Sequence, residues 1–165
     1  LGYGLMSPAT DVTLADVVAL CDLFYIGGTK VGALCGEALV FTRGNMPPHF
    51  LTTVKQHGAL LAKTRLVSQQ FDALFTDDLY FEISRHAIEL AMELKAACLA
   101  KCYELLMDSP TNQQFVILSK EQMERLRQNV QFNLWQWLPD GRVAVRFATS
   151  WATREENVQA LIALL

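Results

Sequence analysis

Lys30 is the residue whose sequence neighbours most strongly suggest a reactive side chain. Residues 23–26 form an apolar run typical of a strand buried on both faces, and two glycines then allow a sharp turn. Thr29 places a hydroxyl beside the lysine amine. Apolar walls disfavour the charged form of a lysine and make its amine a nucleophile toward carbonyl groups. The chemistry that this setting predicts is formation of a Schiff base.

Three interpretations of the lysine segment compete. The plainest is a solvated lysine on a surface turn, since most lysines are exposed. The second is a phosphate-binding P-loop, which needs lysine directly after the last glycine and before Ser or Thr. It fails because Thr29 precedes Lys30 and Val31 follows it. The third is a lysine that carries pyridoxal phosphate (PLP). Hydroxyl groups and the backbone amides of the turn would then hold the phosphate of the cofactor.

Three separated segments resemble the threonine aldolases, which belong to the aromatic amino acid beta-eliminating lyase superfamily of PLP enzymes. They are residues 22–41, DLFYIGGTKVGALCGEALVF, residues 55–63, KQHGALLAK, and residues 145–153, VRFATSWAT. The resemblance covers essentially the whole chain. It implies that Lys30 carries the cofactor, with Thr29 beside it as a cofactor contact.

The resemblance also implies a fold, namely the carboxy-terminal part of a PLP-dependent, fold type I α/β protein. Residues 1–107 would be part of the large cofactor-binding domain, including a long linking helix. Residues 108–165 would form a small α+β domain. Because the family's amino-terminal half supplies the groups that contact the cofactor ring, we expect this chain to be part of a longer polypeptide.

Arg146 and Lys63 are the remaining candidate site residues. In the predicted strand 142–149, Arg146 lies between two alanines, which leaves room for a ligand beside a guanidinium that matches a carboxylate. By pattern alone, an exposed sheet residue in a weak ion pair is the favoured interpretation. The resemblance implies that it binds the α-carboxylate of an amino acid. Lys63 is a weaker candidate for the cofactor phosphate, and a solvated basic face is the alternative.

The implied activity is cleavage of the Cα–Cβ bond of a β-hydroxy-α-amino acid, with L-threonine or L-allo-threonine giving glycine and acetaldehyde. A base outside this chain would take the β-hydroxyl proton. One alternative is PLP-dependent β-elimination on another amino acid. Another is a cofactor-free assembly domain. Similar enzymes are homodimers or homotetramers, so we expect a homo-oligomer.

Composition excludes several other classes of protein. With 14 basic and 17 acidic residues the net charge is -3, and there is no basic stripe for nucleic acid. No apolar run approaches the roughly 18 residues that span a bilayer. The four cysteines form no Cys-x-x-Cys pair and the histidines are not clustered, which argues against disulfides and metal sites. We expect a soluble, cytoplasmic enzyme, with Cys98 and Cys102 as buried thiols on one helix.

Short-range signals predict the elements that position these residues. Thr13 opens a short helix, residues 38–41 form a strand, and residues 50–75 have helical periodicity with Gly58 near the middle. A second long helix runs from Asp77 to about Met107. Beyond it, strands are predicted at 115–118, 131–138 and 142–149, with capping boxes that begin helices at Ser119 and Thr153. The economical arrangement is two helices on one face of a small antiparallel sheet.

Overall fold

The computed structural model describes residues 1–165 and contains seven α-helices and six β-strands. In chain order they are α1 (Gly2–Leu5), α2 (Leu14–Leu20), β1 (Leu23–Gly27), β2 (Glu37–Phe41), α3 (Phe50–Gln56), α4 (Thr64–Leu74), α5 (Leu79–Ala100), β3 (Glu104–Leu105), β4 (Gln113–Leu118), α6 (Lys120–Arg127), β5 (Asn133–Trp137), β6 (Val143–Ala148) and α7 (Glu155–Leu164). None of the helices combines the length and apolar character that crossing a membrane requires.

The first strand pair is a two-stranded antiparallel ribbon, β1 with β2, in which Tyr25 faces Leu39. One face is covered, because Ile26 is buried in a small core and Ala38 packs against that core. The other face is open, and Tyr25 is 62% exposed. The prediction that the strand is buried on both faces is therefore wrong for this chain, since Leu23 and Tyr25 on the second face are exposed.

The predicted helix over residues 50–75 is two helices, α3 and α4, and that prediction is wrong in its middle. α3 ends at Gln56, and Gly58 has a φ of +71°, a left-handed conformation that glycine adopts without strain. α4 then begins after Lys63. Lys55 and Lys63 therefore do not share one helix, as the sequence suggested.

Helix α5 ends at Ala100, about two turns before the predicted end near Met107. Cys102 adopts a φ of +60°. The Tyr103 amide donates to the Cys98 carbonyl at 2.9 Å and the Cys102 amide to the Leu99 carbonyl at 3.0 Å. This pair of bonds is a Schellman cap. Cys98 is buried in the helix, as predicted, whereas Cys102 lies outside it and is exposed.

The carboxy-terminal region is a four-stranded antiparallel sheet in the order β3-β4-β6-β5. The predicted capping box at Ser119 begins α6. The one predicted at Thr153 does not form, because the Thr153 hydroxyl accepts a hydrogen bond from the Ser150 amide and α7 begins after Arg154 instead. Val158 and Leu161 of α7 are buried, so helices cover one face of the sheet as expected.

Two hydrophobic cores hold the chain together, and α5 contributes to both. The larger has 13 buried residues and includes Leu94 and Val145. The smaller has five and includes Tyr80 and Val31. One helix therefore links the lysine turn to the carboxy-terminal sheet. A domain division near residue 108 stays a prediction.

Candidate active site

The lysine turn is a single turn of 3-10 helix, Thr29–Val31, that follows β1 directly. The Gly28 carbonyl accepts from the amides of Val31 and Ala33, each at 3.0 Å, which closes the turn. Val31 and Ala33 are buried and fix it to the smaller core. Thr29 and Lys30 are exposed, so their side chains are accessible.

Helix α4 packs closely against the loop that contains this turn. A Cβ on Gly28 would lie 3.0 Å from the Phe71 ring, and a Cβ on Gly36 would lie 2.5 Å from Val67. The Leu34 amide donates to the Gln70 side-chain oxygen at 2.5 Å. The glycines of the lysine segment are therefore needed for close packing under α4, besides the sharp turn that the sequence indicated.

A cavity of about 400 Å³ opens beside Lys30. Its volume falls in the range usual for small-molecule sites. The lining residues that can make polar contacts are Tyr3, Tyr25, Thr29, Lys30, Glu37 and Tyr80. The apolar walls predicted around Lys30 are not formed by this chain, because the open face of β1 leaves the lysine exposed. The chain offers an accessible primary amine with a hydroxyl beside it, and both fit an aldehyde cofactor that carries a phosphate.

Tyr3 brings two of the predicted segments together. Its hydroxyl donates to the Lys30 carbonyl and accepts from the Trp151 amide at 3.1 Å. Burial raises the pKa of the Tyr3 phenol, and the hydrogen bond from Trp151 acts in the opposite direction. The Trp151 ring lies against Gly32, 3.6 Å from where a Cβ would stand. The lysine turn and the segment after β6 are therefore in direct contact.

Arg146 lies on β6 as predicted, on the face opposite the buried Val145 and Phe147. Its Nη1 donates to the Gln113 side-chain oxygen at 3.0 Å, and its guanidinium carbon lies 5.7 Å from the centre of the Trp135 ring. Its Nε is buried and has no hydrogen-bond partner. A buried donor without a partner is costly, so Arg146 is poised to bind an acceptor.

The structure does not place all the predicted site residues in one cavity. Arg146 lines a larger groove of about 1040 Å³ with α7 and the residues before β5, and that groove shares no residue with the Lys30 cavity. Lys63 lies at the start of α4, outside both, in a shallow depression with its chain neighbours. Lys30 and Thr29 share one turn, and Arg146 is tied to them only through the segment that follows β6.

Sequence reasoning missed three residues that organise the site. Tyr3 carries no motif, and its role follows only from the fold. The His86 ring Nε2 lies 2.8 Å from the Thr153 carbonyl and holds the segment after β6 on α5. Trp135 packs on Phe115 and lies beside the Arg146 guanidinium. For Arg146, pairing of its strand with the neighbouring strand could have indicated a polar partner such as Gln113.

Comparison with known proteins identifies relatives over nearly the whole chain. It is 31% identical over 159 residues to a low specificity L-threonine aldolase of a Pseudomonas species, across 95% of this chain and 44% of that enzyme. The low specificity L-threonine aldolase of Pseudomonas aeruginosa is also 31% identical, over 157 residues. The chain thus spans less than half the length of the curated relatives it matches. No family model matches it.

Solved structures give the same result. The threonine aldolase of Leishmania major superposes with a TM-score of 0.94 at 37% identity, over 99% of this chain and 48% of that one. A Sphingomonas wittichii serine palmitoyltransferase matches at a TM-score of 0.63 and 15% identity, over 99% of this chain and 44% of that one, which shows the fold alone. A structure of the same kind of transferase with PLP matches at 0.55 and 15% identity, over 87% of this chain and 38% of that one. The chain is therefore a homologue of part of the threonine aldolases, with the fold of a partial fold type I enzyme.

Proposed function

We propose that the polypeptide carrying this chain is a PLP-dependent lyase that cleaves β-hydroxy-α-amino acids such as L-threonine into glycine and an aldehyde. The observation that carries the proposal is the contact between the Lys30 turn and the segment following Arg146, made through Tyr3 and Trp151. The contact connects Lys30, which would hold the cofactor, with Arg146, which would bind a carboxylate, and this pairing suits an amino acid substrate.

PLP supplies, when bound, an aldehyde that condenses with amines and a ring that accepts the electron pair of a breaking bond to Cα. Lys30 offers the amine, at a position accessible from the neighbouring cavity. The Thr29 hydroxyl is one residue away and suits the phosphate. Lys63, outside the cavity, stays a weaker candidate for the same phosphate.

The hydrogen bonds that Arg146 already makes favour one way of binding a carboxylate. Nη1 is committed to Gln113, while Nε is buried without a partner. A carboxylate that approaches side-on accepts from Nε and Nη2 together, and such paired bonds are strong and directional. Ligand binding would therefore satisfy a donor that the free protein leaves unpaired. We assign Arg146 to the α-carboxylate of the substrate for this reason.

Reduction with borohydride tests the role of Lys30. It converts the link between a lysine amine and the PLP aldehyde into a stable amine, which marks the residue. In the complete polypeptide loaded with PLP, the label should appear on the peptide that contains Lys30, and Lys30→Ala should abolish it. A label on the Lys55 or Lys63 peptide would contradict the assignment.

Product analysis distinguishes the aldolase from a β-eliminating lyase. Cleavage of threonine between Cα and Cβ gives glycine and acetaldehyde, whereas elimination of water leads to 2-oxobutyrate and ammonia. We expect equal amounts of glycine and acetaldehyde with little ammonia. A homo-oligomeric assembly, a cytoplasmic location and a division into domains 1–107 and 108–165 accompany this proposal as predictions.

A further inference from the structure

Tyr3 makes two hydrogen bonds through one atom, its hydroxyl oxygen. As a donor it binds the carbonyl of Lys30, and as an acceptor it binds the amide of Trp151. A hydroxyl is the side-chain group that donates and accepts at one atom. The two backbone groups that it joins are 121 positions apart in the sequence, one beside the amine and the other after the Arg146 strand.

The segment on the Trp151 side is held rigidly. The Thr149 hydroxyl donates to the Ala87 carbonyl at 2.6 Å, and the Asn112 side-chain Nδ2 donates to the Thr149 carbonyl at 2.7 Å. His86 holds Thr153 at 2.8 Å. Arg146 lies on β6, three residues before Thr149, which directly follows that strand, so a displacement of Trp151 acts on a short, well-anchored stretch.

The segment on the Tyr3 side is anchored as well. The Gly2 amide donates to the Tyr80 hydroxyl at 2.8 Å, and Tyr80 is fully buried in α5. A Cβ on Gly2 would lie 2.3 Å from the Ser84 hydroxyl, so this residue must stay small. α5 therefore supports both partners of the contact, and Tyr3 closes it over the lysine turn.

We infer that Tyr3 is a positioning residue, whose hydroxyl fixes the Lys30 turn relative to the Arg146 strand. The inference rests on the proposed function of those two residues. The Tyr3 hydroxyl makes no hydrogen bond to the Lys30 amine or the Arg146 guanidinium, because both of its hydrogen bonds are to backbone groups. It acts through geometry, by setting the separation between the lysine that would hold the cofactor and the arginine that would bind the carboxylate of the substrate.

The variant Tyr3→Phe removes the hydroxyl and keeps the ring. The first measurement is hydrogen exchange of the Trp151 amide in the complete polypeptide without PLP. Loss of one ordinary hydrogen bond is expected to speed exchange at Trp151 roughly fivefold or more. Tyr103→Phe is the matched control, because its hydroxyl also donates to a backbone carbonyl, that of Leu165, but lies away from the lysine turn. Unchanged exchange at Trp151 in Tyr3→Phe would overturn the inference.

The second measurement is kinetic, with L-threonine and PLP. Tyr3→Phe should raise KM about tenfold with a smaller change in kcat, because uniform binding of the amino acid is lost. Borohydride should still label Lys30 in full, and Tyr103→Phe should leave KM unchanged. Faster exchange at Trp151 with an unchanged KM would also overturn the inference. Failure of the proposed function has a different signature, namely no label on Lys30 in the unsubstituted protein.

Discussion

Arg146 illustrates how a single side chain can be costly alone and favourable with a ligand. Its Nε is buried without a partner, while Gln113 and Trp135 hold the rest of the guanidinium. A buried unpaired donor costs about 1 to 3 kcal/mol. The free protein therefore carries a destabilising group that binding of a carboxylate relieves.

Arg146→Ala should weaken catalysis far more than folding. Losing one partner of a desolvated charge pair costs about 2 to 5 kcal/mol, which corresponds to a fall of roughly thirtyfold or more in kcat/KM. The unfolding free energy of the ligand-free protein should change little, because removal of the unpaired Nε offsets the loss of the contacts with Gln113 and Trp135. Steady-state kinetics and urea denaturation measure the two effects. Gln113→Ala, which leaves Nε and Nη2 in place, should show a smaller kinetic loss, and equal losses would contradict the side-on geometry.

Cys98 should make the stability of the chain depend on pH in the alkaline range. Burial raises the pKa of its thiol from 9.0 to about 11. The unfolded chain therefore releases this proton first, so the stabilisation is complete below pH 9 and is lost as pH rises toward 11. The difference in unfolding free energy between the wild type and Cys98→Ala should shrink as the pH rises from 9.0 to about 11, measured by urea denaturation.

At the scale of the elements, the loop between β1 and β2 depends on α4. Gly28→Ala would bring a methyl group to 2.7 Å from the Ala33 side chain and 3.0 Å from Phe71. Overpacking of this kind costs about 1 to 3 kcal/mol. We expect a lower urea midpoint and slower labelling of Lys30 by PLP and borohydride. Gly4→Ala is the control, since a Cβ there meets nothing within 4 Å. An equal effect in both variants would show that the loop tolerates displacement.

Elements with complete local signals were predictable, and those decided by a competing contact were not. The Ser119 box forms because the Gln122 side chain bonds back to the Ser119 amide. Thr153 has the same sequence pattern, yet its hydroxyl is occupied by the Ser150 amide. The end of α5 is set by a cysteine at φ +60° where glycine is usual. Such choices depend on neighbours distant in sequence or on rare backbone conformations, which composition and spacing do not report.

The candidate site was predictable only in part for a related reason. The sequence indicated Lys30, Thr29 and Arg146, because each stands in a distinctive local pattern. The Tyr3 hydroxyl and the His86 ring act on backbone groups, which every residue presents equally. The sequence therefore contains no residue type that would indicate the partner of such a hydrogen bond.

At the scale of the whole molecule, the larger core supplies most of the packing. Leu94 of α5 is 2% exposed there, whereas Leu99 on the same helix is 53% exposed. Leu94→Ala should lower the unfolding free energy by about 2 to 5 kcal/mol. Leu99→Ala should change it by less than about 0.5 kcal/mol. Urea denaturation followed by circular dichroism measures both. If the two variants were equally stable, α5 would not be held by the carboxy-terminal sheet.

Helix α5 also limits where residues can be inserted into the chain or deleted from it. Its 22 residues span about 33 Å. Tyr80 packs in the smaller core and Leu94 in the larger core, while His86 and Ala87 between them hydrogen-bond to the segment after β6. Inserting one residue between Tyr80 and Leu94 would turn everything beyond it by about 100° and advance it by about 1.5 Å. Substitutions on the exposed face of the helix leave the relative orientation of these buried residues unchanged, whereas insertion or deletion of one residue alters it. We expect relatives to vary in α5 by replacement and to keep the number of residues constant.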